Sequence, residues 1–198
     1  MTVSASALPQ QVLAYAGPVP AKLPNLRGRL GTPDDVPVLS YIINLAYRDS
    51  TWFKTPAIHN RTSQNEVAEY MTGRDLFIVL EDGDATVATV KLVAPTDEQA
   101  CSVMSLLAVH PTFAKMGVAK YLFKVMCGMA VYMDGLEPGA GWSRLTCEVI
   151  NLQPHLLSIY RSWGFEETGV TMQWHQMGYD SKLFTHECHL ICMEQKLK

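Results

Sequence analysis

The sequence predicts an α/β (α+β) fold in the order β-α-α-β-β-β-α-β-α-β-β, with about seven strands and about four helices. Three stretches carry this expectation. Ser102 to Val109 is nearly all apolar, as expected of a strand covered on both faces, and His110-Pro111 ends it because proline cannot donate to a ladder. Val118, Leu122, Val125 and Met129 follow at helical spacing and form one buried face. Arg144 to Ile150 then alternates Leu145, Cys147 and Val149 against Thr146 and Glu148, and Leu156, Ile159, Tyr160 and Trp163 make the inner stripe of a helix stopped by Gly164.

The remaining elements follow in order. Residues 1–26 carry Pro9, Pro18, Pro20 and Pro24 and read as an N-terminal extended arm, with Leu8, Val12, Leu13 and Tyr15 available to dock; residues 27–198 form the domain. Arg27 to Gly31 is a short strand. Thr32 is a good N-cap, Pro33 fits the first helical position, and Asp34 and Asp35 suit the positive helix end. Val38, Ile42, Leu45 and Ala46 give that helix a buried face, and Thr51 to Asn60 is a loop. Ser63-x-x-Glu66 is a capping box for a second helix that Gly73 stops. Leu76 to Leu80 and Thr86 to Val93 are strands around an Asp82-Gly83-Asp84 hairpin turn. The central helix runs to about Met133, and a Gly/Pro-rich loop fills Asp134 to Trp142. Val170 to His175 and Glu187 to Gln195 are the last strands.

Composition narrows the function. The chain has 198 residues, 48% hydrophobic and 18% charged, so it supports one sizeable core. A net charge of −3 argues against a general nucleic-acid binder. No apolar run reaches the length of a membrane span, and the N-terminus lacks the basic start and apolar centre of a secretory signal. The five cysteines are odd in number and lie mostly in apolar runs, which reads as reduced thiols and a cytoplasmic protein. His186, Cys188, His189 and Cys192 invite a metal reading, but on a strand His189 points away from the two cysteines, so no metal is expected.

The turn Ala114 to Ala119 is the candidate binding element. A helix N-terminus offers free N–H groups and the positive end of the dipole, and small residues let an anion approach. The residues alone fit either a pyrophosphate cradle or an ordinary β-turn-α connection with a packing glycine. Tyr160 likewise fits either a catalytic phenol or a core residue of the helix stripe.

Two blocks resemble the GNAT superfamily of acyl-CoA N-acyltransferases over roughly residues 27–198. The family pattern is Gln/Arg-x-x-Gly-x-Gly/Ala after a strand ending in Val-x-Pro. Val109-His110-Pro111, Gly117 and Ala119 match it; Ala114 stands where the family has Gln or Arg, with Lys115 adjacent but out of register. In the second block Asn151, Tyr160, Gly164 and Phe165 stand at the family's Asn, Tyr and Gly-Phe positions. The resemblance implies a mostly antiparallel sheet and acetyl-CoA as acyl donor. Pantetheine would pair with the central strand over Leu107, Ala108 and Val109, chiefly at Leu107 and Val109. The pyrophosphate would meet Ala114, Lys115 and the N–H groups of Met116, Gly117, Val118 and Ala119. Asn151 would contact the cofactor arm or cap the next helix.

It also implies an N-acetyltransferase that moves the acyl group to a primary amine of a small molecule or peptide by direct attack. Tyr160 would be the general acid. Glu148 is the first candidate for the base and His110 the second, their alternatives being a hydrogen-bonded strand carboxylate and a turn residue. The segments Tyr47 to Asn60 and Trp174 to Thr185 would set acceptor specificity, with Trp52, Phe53, Trp174 and Tyr179 as aromatic lining. The protein is expected to be a monomer or homodimer. A non-catalytic acyl-CoA-binding module on the same fold is the rival, and Ala114 is the residue in its favour.

Overall fold

The computed structural model describes residues 7–48, 60–173 and 186–198. Its sheet has seven strands: β1 (Arg27–Leu30), β2 (Leu76–Asp82), β3 (Ala85–Val93), β4 (Ser102–Val109), β5 (Arg144–Ile150), β6 (Glu166–Gln173) and β7 (His189–Lys196). The spatial order is β1-β2-β3-β4-β5-β7-β6, antiparallel everywhere except between β4 and β5. Five helices flank it: α1 (Gln10–Ala16), α2 (Val36–Tyr47), α3 (Gln64–Tyr70), α4 (Val118–Leu136) and α5 (Pro154–Ser162).

Two apolar clusters sandwich the sheet. Val118, Leu122, Val125, Met126 and Met129 of α4 pack with Leu145, Cys147 and Val149 of β5 on one face. Leu39, Ile42 and Ile43 of α2 and Val67 of α3 pack with Phe77, Val79, Leu106 and Ala108 on the other. The alternation of β5 therefore does what period-two patterning requires: its odd-numbered apolar residues face α4, and Thr146 and Glu148 face the α2–α3 side. The capping box of α3 forms, with the Ser63 N–H donating to Glu66 at 2.6 Å and Ser63 Oγ accepting from the Glu66 N–H at 3.2 Å. Arg29 of β1 bonds Asp35, just before α2, at 2.6 Å and Glu81 of β2 at 2.6 Å, which fixes the entry into α2.

The N-terminal segment differs from the expected extended arm. Residues 10–16 form α1, and Leu8, Val12 and Ala16, spaced by four, are buried in the α4-side core. Pro9 only terminates the helix at its start, where a missing N–H costs nothing. The contact depends on Gly128 in the middle of α4: a Cβ there would lie 2.8 Å from the Val12 carbonyl oxygen and 3.0 Å from Tyr15 Cβ. Beyond α1, the chain passes the start of α4, where Pro20 Cβ lies 3.8 Å from where a Gly117 Cβ would stand.

Smaller differences concern element ends. Central helix α4 continues to Leu136. Strand β6 begins at Glu166, earlier than its sequence indicates, because this edge strand is mostly exposed and shows no apolar alternation. No helix among the described residues is long and apolar enough to cross a membrane.

Candidate active site

The candidate site begins where β4 and β5 part. They pair only at Ser102 with Leu145 and Val103 with Thr146, whereas β5 pairs with β7 along its whole length, Arg144 to Ile150. From Met104 onward β4 therefore faces a wedge-shaped gap and not a partner strand. The other edge of β4 stays laddered to β3, with one interruption: Thr89 faces Ala108 and Lys91 faces Ser105, leaving Leu106 and Leu107 opposite Val90 alone. Leu106 takes the left-handed φ of 51° at this bulge, a conformation costing on the order of 1–3 kcal/mol for a non-glycine residue. Its side chain is buried in the α2–α3 cluster at 4% exposure, worth roughly 1.5–3 kcal/mol, which offsets the strain.

The bulge sets which backbone groups reach the gap. The His110 N–H donates to the Val87 carbonyl of β3 at 2.9 Å. Alternate residues of a strand direct their backbone groups to opposite sides, so those of Val109 and Leu107 point away from β3 and into the gap. Both residues are half-buried there. Ala108 lies between them with its backbone turned to Thr89 and its side chain 1% exposed, so it shapes the strand without presenting an N–H to the gap.

The turn after β4 lies at the end of this gap. A single 3₁₀ turn over Pro111–Phe113 is followed by extended Ala114. Positive φ values at Lys115 (60°) and Gly117 (85°) then flank Met116. Such a turn gathers successive N–H groups into a concavity, and only glycine adopts the Gly117 angle without strain. Gly117 is the N-cap of α4 and offers no side-chain cap, so the first-turn N–H groups of Val118 and Ala119 keep no partner within the helix. The first turn holds no acidic residue, and Ala114, Lys115 and Gly117 are exposed. The loop presents donors and a helix dipole to solvent, as an anion site requires.

Tyr160 projects from α5 with Trp163 at 5.4 Å and Phe165 at 5.9 Å between ring centroids, and Trp163 stacks on Phe123 of α4 at 4.7 Å. Its hydroxyl makes no hydrogen bond with a described residue. Burial pushes the phenol well above its ordinary pKa, and nearby Tyr47 and Cys147 push the same way. The hydroxyl therefore stays protonated across the neutral range, and it serves a leaving sulfur best as a hydrogen-bond donor.

Glu148 faces the α2–α3 side opposite Cys192 of β7. Glu148 is exposed, yet partial desolvation raises the pKa of its carboxyl, with Arg61 pulling the other way. Among the other candidates, His110 Nδ1 accepts the Thr112 N–H at 3.3 Å and the ring contacts Tyr41 and Phe113, which makes it a residue of the turn. Asn151 does not cap α5, whose N-cap is Gln153; its Oδ1 accepts the His189 N–H at 3.1 Å, and its amide N–H groups make no hydrogen bond with a described residue. Cys147 is core, 2% exposed, with burial and Glu148 holding its thiol protonated. No group of three or more His, Cys, Asp and Glu side chains among the described residues is placed to hold a metal ion. Trp52, Phe53, Trp174 and Tyr179 lie outside the described residues. Sequence reasoning missed Arg61, which sits over the Tyr47 ring at 5.7 Å from Cζ to centroid; the position just before the capping box was its only signal.

No family model and no curated protein sequence matches the chain. Solved structures do. An acetyltransferase of the GNAT family from Streptococcus pneumoniae shares 11% identity at a TM-score of 0.64, covering 87% of this chain and 99% of its own. The ribosomal-protein-alanine N-acetyltransferase from Brucella melitensis shares 20% at 0.61, covering 86% and 99%. A proposed acetyltransferase from Salmonella typhimurium, solved with its cofactor acetyl-CoA, shares 15% at 0.61, covering 88% and 95%. At these identities the likeness is one of architecture: the chain has the GNAT acyl-CoA N-acyltransferase fold.

Proposed function

We propose that the protein is an acetyl-CoA-dependent N-acetyltransferase that acts on a primary amine of a small molecule or peptide. The observation that carries this reading is the conjunction of an open β4 edge with the donor-rich turn at its end. Pantetheine amides pair with Leu107 and Val109, and the pyrophosphate rests on the N–H groups from Met116 to Ala119. Lys115 adds charge beside them. The amide of Asn151 donates to the cofactor arm.

The chemistry follows from these positions. An amine lone pair attacks the thioester carbonyl carbon, and a β4 backbone N–H stabilises the oxygen as it gains charge. The nitrogen loses a proton to the Glu148 carboxylate, directly or through water, since an alkylammonium near pKa 10 is not itself nucleophilic at neutral pH. The carbon–sulfur bond breaks, and Tyr160 donates its O–H to the departing thiolate. A non-catalytic acyl-CoA-binding role is favoured by one feature, Ala114 in place of a side-chain donor. The test is acetyl transfer itself: incubation with acetyl-CoA and a panel of primary amines, with free CoA and acetylated product both measured. Stoichiometric CoA and acetyl-amine are expected. Binding of acetyl-CoA with no acetylated product from any amine would leave the binding role.

A further inference from the structure

We propose that Arg61 anchors a carboxylate on the acceptor, so that the amines acetylated are carboxylate-bearing ones, amino acids or peptides; this rests on the N-acetyltransferase reading above. The first observation is that Arg61 is held at both ends. Next to it, Thr62 is 2% exposed, and its peptide is clamped by one side chain of α2. Asn44 Oδ1 accepts the Thr62 N–H at 3.0 Å, and Asn44 Nδ2 donates to the Thr62 carbonyl at 2.8 Å. The capping box of α3 starts one residue later. At the far end the guanidinium lies over Tyr47, whose ring packs against the α2–α3 cluster. A guanidinium drawn to the face of a ring is already partly restrained and loses less entropy when it binds.

The second observation is that this fork forms no ion pair among the described residues. Arg29, Arg74, Arg144 and Arg161 each pair with a carboxylate. Arg61 is exposed and forms no salt bridge with a described residue. The neighbouring cation Lys91 is by contrast compensated, 3.3 Å from Asp75 and over the Tyr70 ring. The third observation is placement. Glu148 faces the same α2–α3 side of the sheet as Tyr47 and Arg61, and Arg61 acts on its ionisation. This side of the sheet thus carries a carboxylate at the gap, suited to an amine, and a guanidinium beside the start of α3 that feels the charges of Glu66 and Glu148 but is ion-paired with no described residue, suited to an anion. Guanidinium and carboxylate match as a two-bond fork, which a plain amine cannot use.

Calorimetry on the CoA-loaded protein tests this with matched pairs: L-lysine against cadaverine, and glycylglycine against glycinamide. The carboxylate member of at least one pair should bind roughly ten-fold or more tightly than its mate. Arg61→Gln should abolish that preference, and Arg61→Lys should restore part of it, while binding of the mate and of CoA stays the same. An unchanged melting temperature shows that the variant is folded. Equal binding within both pairs, no binding of any member into the millimolar range, or a preference that survives Arg61→Gln would each overturn the proposal. The two readings fail separately. An Arg61-dependent preference without acetyl transfer would keep the anchor and remove the enzyme.

Discussion

Gly128→Ala and Gly135→Ala make the same change on the same helix and should have opposite effects. Both glycines lie within α4. Replacing a helical glycine by alanine gains about 1 kcal/mol from backbone entropy where nothing obstructs the new methyl group. At Gly135 no heavy atom lies within 4 Å of the added Cβ, so the gain should appear, raising the melting temperature by about 2–4 °C for a chain of this size. At Gly128 the Cβ would meet Val12 O at 2.8 Å, Tyr15 Cβ at 3.0 Å and Val12 Cα at 3.2 Å. Two of those atoms are backbone, so relief requires α1 itself to shift, and overpacking of this kind costs about 1–3 kcal/mol. The net expectation is a loss of up to about 2 kcal/mol, or a fall of up to about 8 °C. Hydrogen exchange locates the damage: amides of residues 10–16 should lose protection in Gly128→Ala and keep it in Gly135→Ala. If Gly128→Ala stabilises as Gly135→Ala does, with residues 10–16 equally protected, α1 does not dock on α4 and the account of the N-terminal segment is wrong.

Two predictions concern the chemistry. Tyr160→Phe should lower kcat on an identified amine by roughly 10²-fold while acetyl-CoA affinity changes little, because the ring contacts with Trp163 and Phe165 survive; equal kcat in the two proteins would remove Tyr160 from the mechanism. Glu148→Gln should lower kcat and flatten the acid limb of the pH profile, yet leave the protein at least as stable at neutral pH. The sign follows from the raised pKa of Glu148: the charged form is the disfavoured one, so its penalty is full above the folded-state pKa and vanishes below the unfolded-state value. Thermal melts of both proteins across the acid range check this, and a wild-type chain more stable than Glu148→Gln at neutral pH, with convergence in acid, would show the opposite shift.

Local chemistry made much of the fold legible. The Ser63–Glu66 box, the turn at Gly83, the apolar run ended by His110-Pro111 and the glycine opening α4 each act within a few residues, and each stands where its residues indicate. The spacing of Leu8, Val12 and Ala16 is also helical, but α1 is short and surrounded by prolines, and its stability comes from α4 and Gly128, which are distant in sequence. The bulge at Leu106 is a property of register against β3, so nothing within β4 announces it. The same holds for Arg61. Its value comes from Tyr47 beneath it and Asn44 beside it, a set of positions that only the folded α2–α3 corner brings together. The resemblance points to Leu107 and Val109 for pantetheine, and the hydrogen bond of His110 to Val87 gives a physical reason why their backbone groups, and not those of Ala108, face the gap.

Calorimetric titration of the purified protein with acetyl-CoA tests the central claim most directly. The open β4 edge and the turn at Gly117 predict saturable one-to-one binding in the micromolar range. No heat and no thermal shift up to millimolar acetyl-CoA would mean that the gap between β4 and β5 is not an acyl-CoA site, and the proposed enzyme would fall with it.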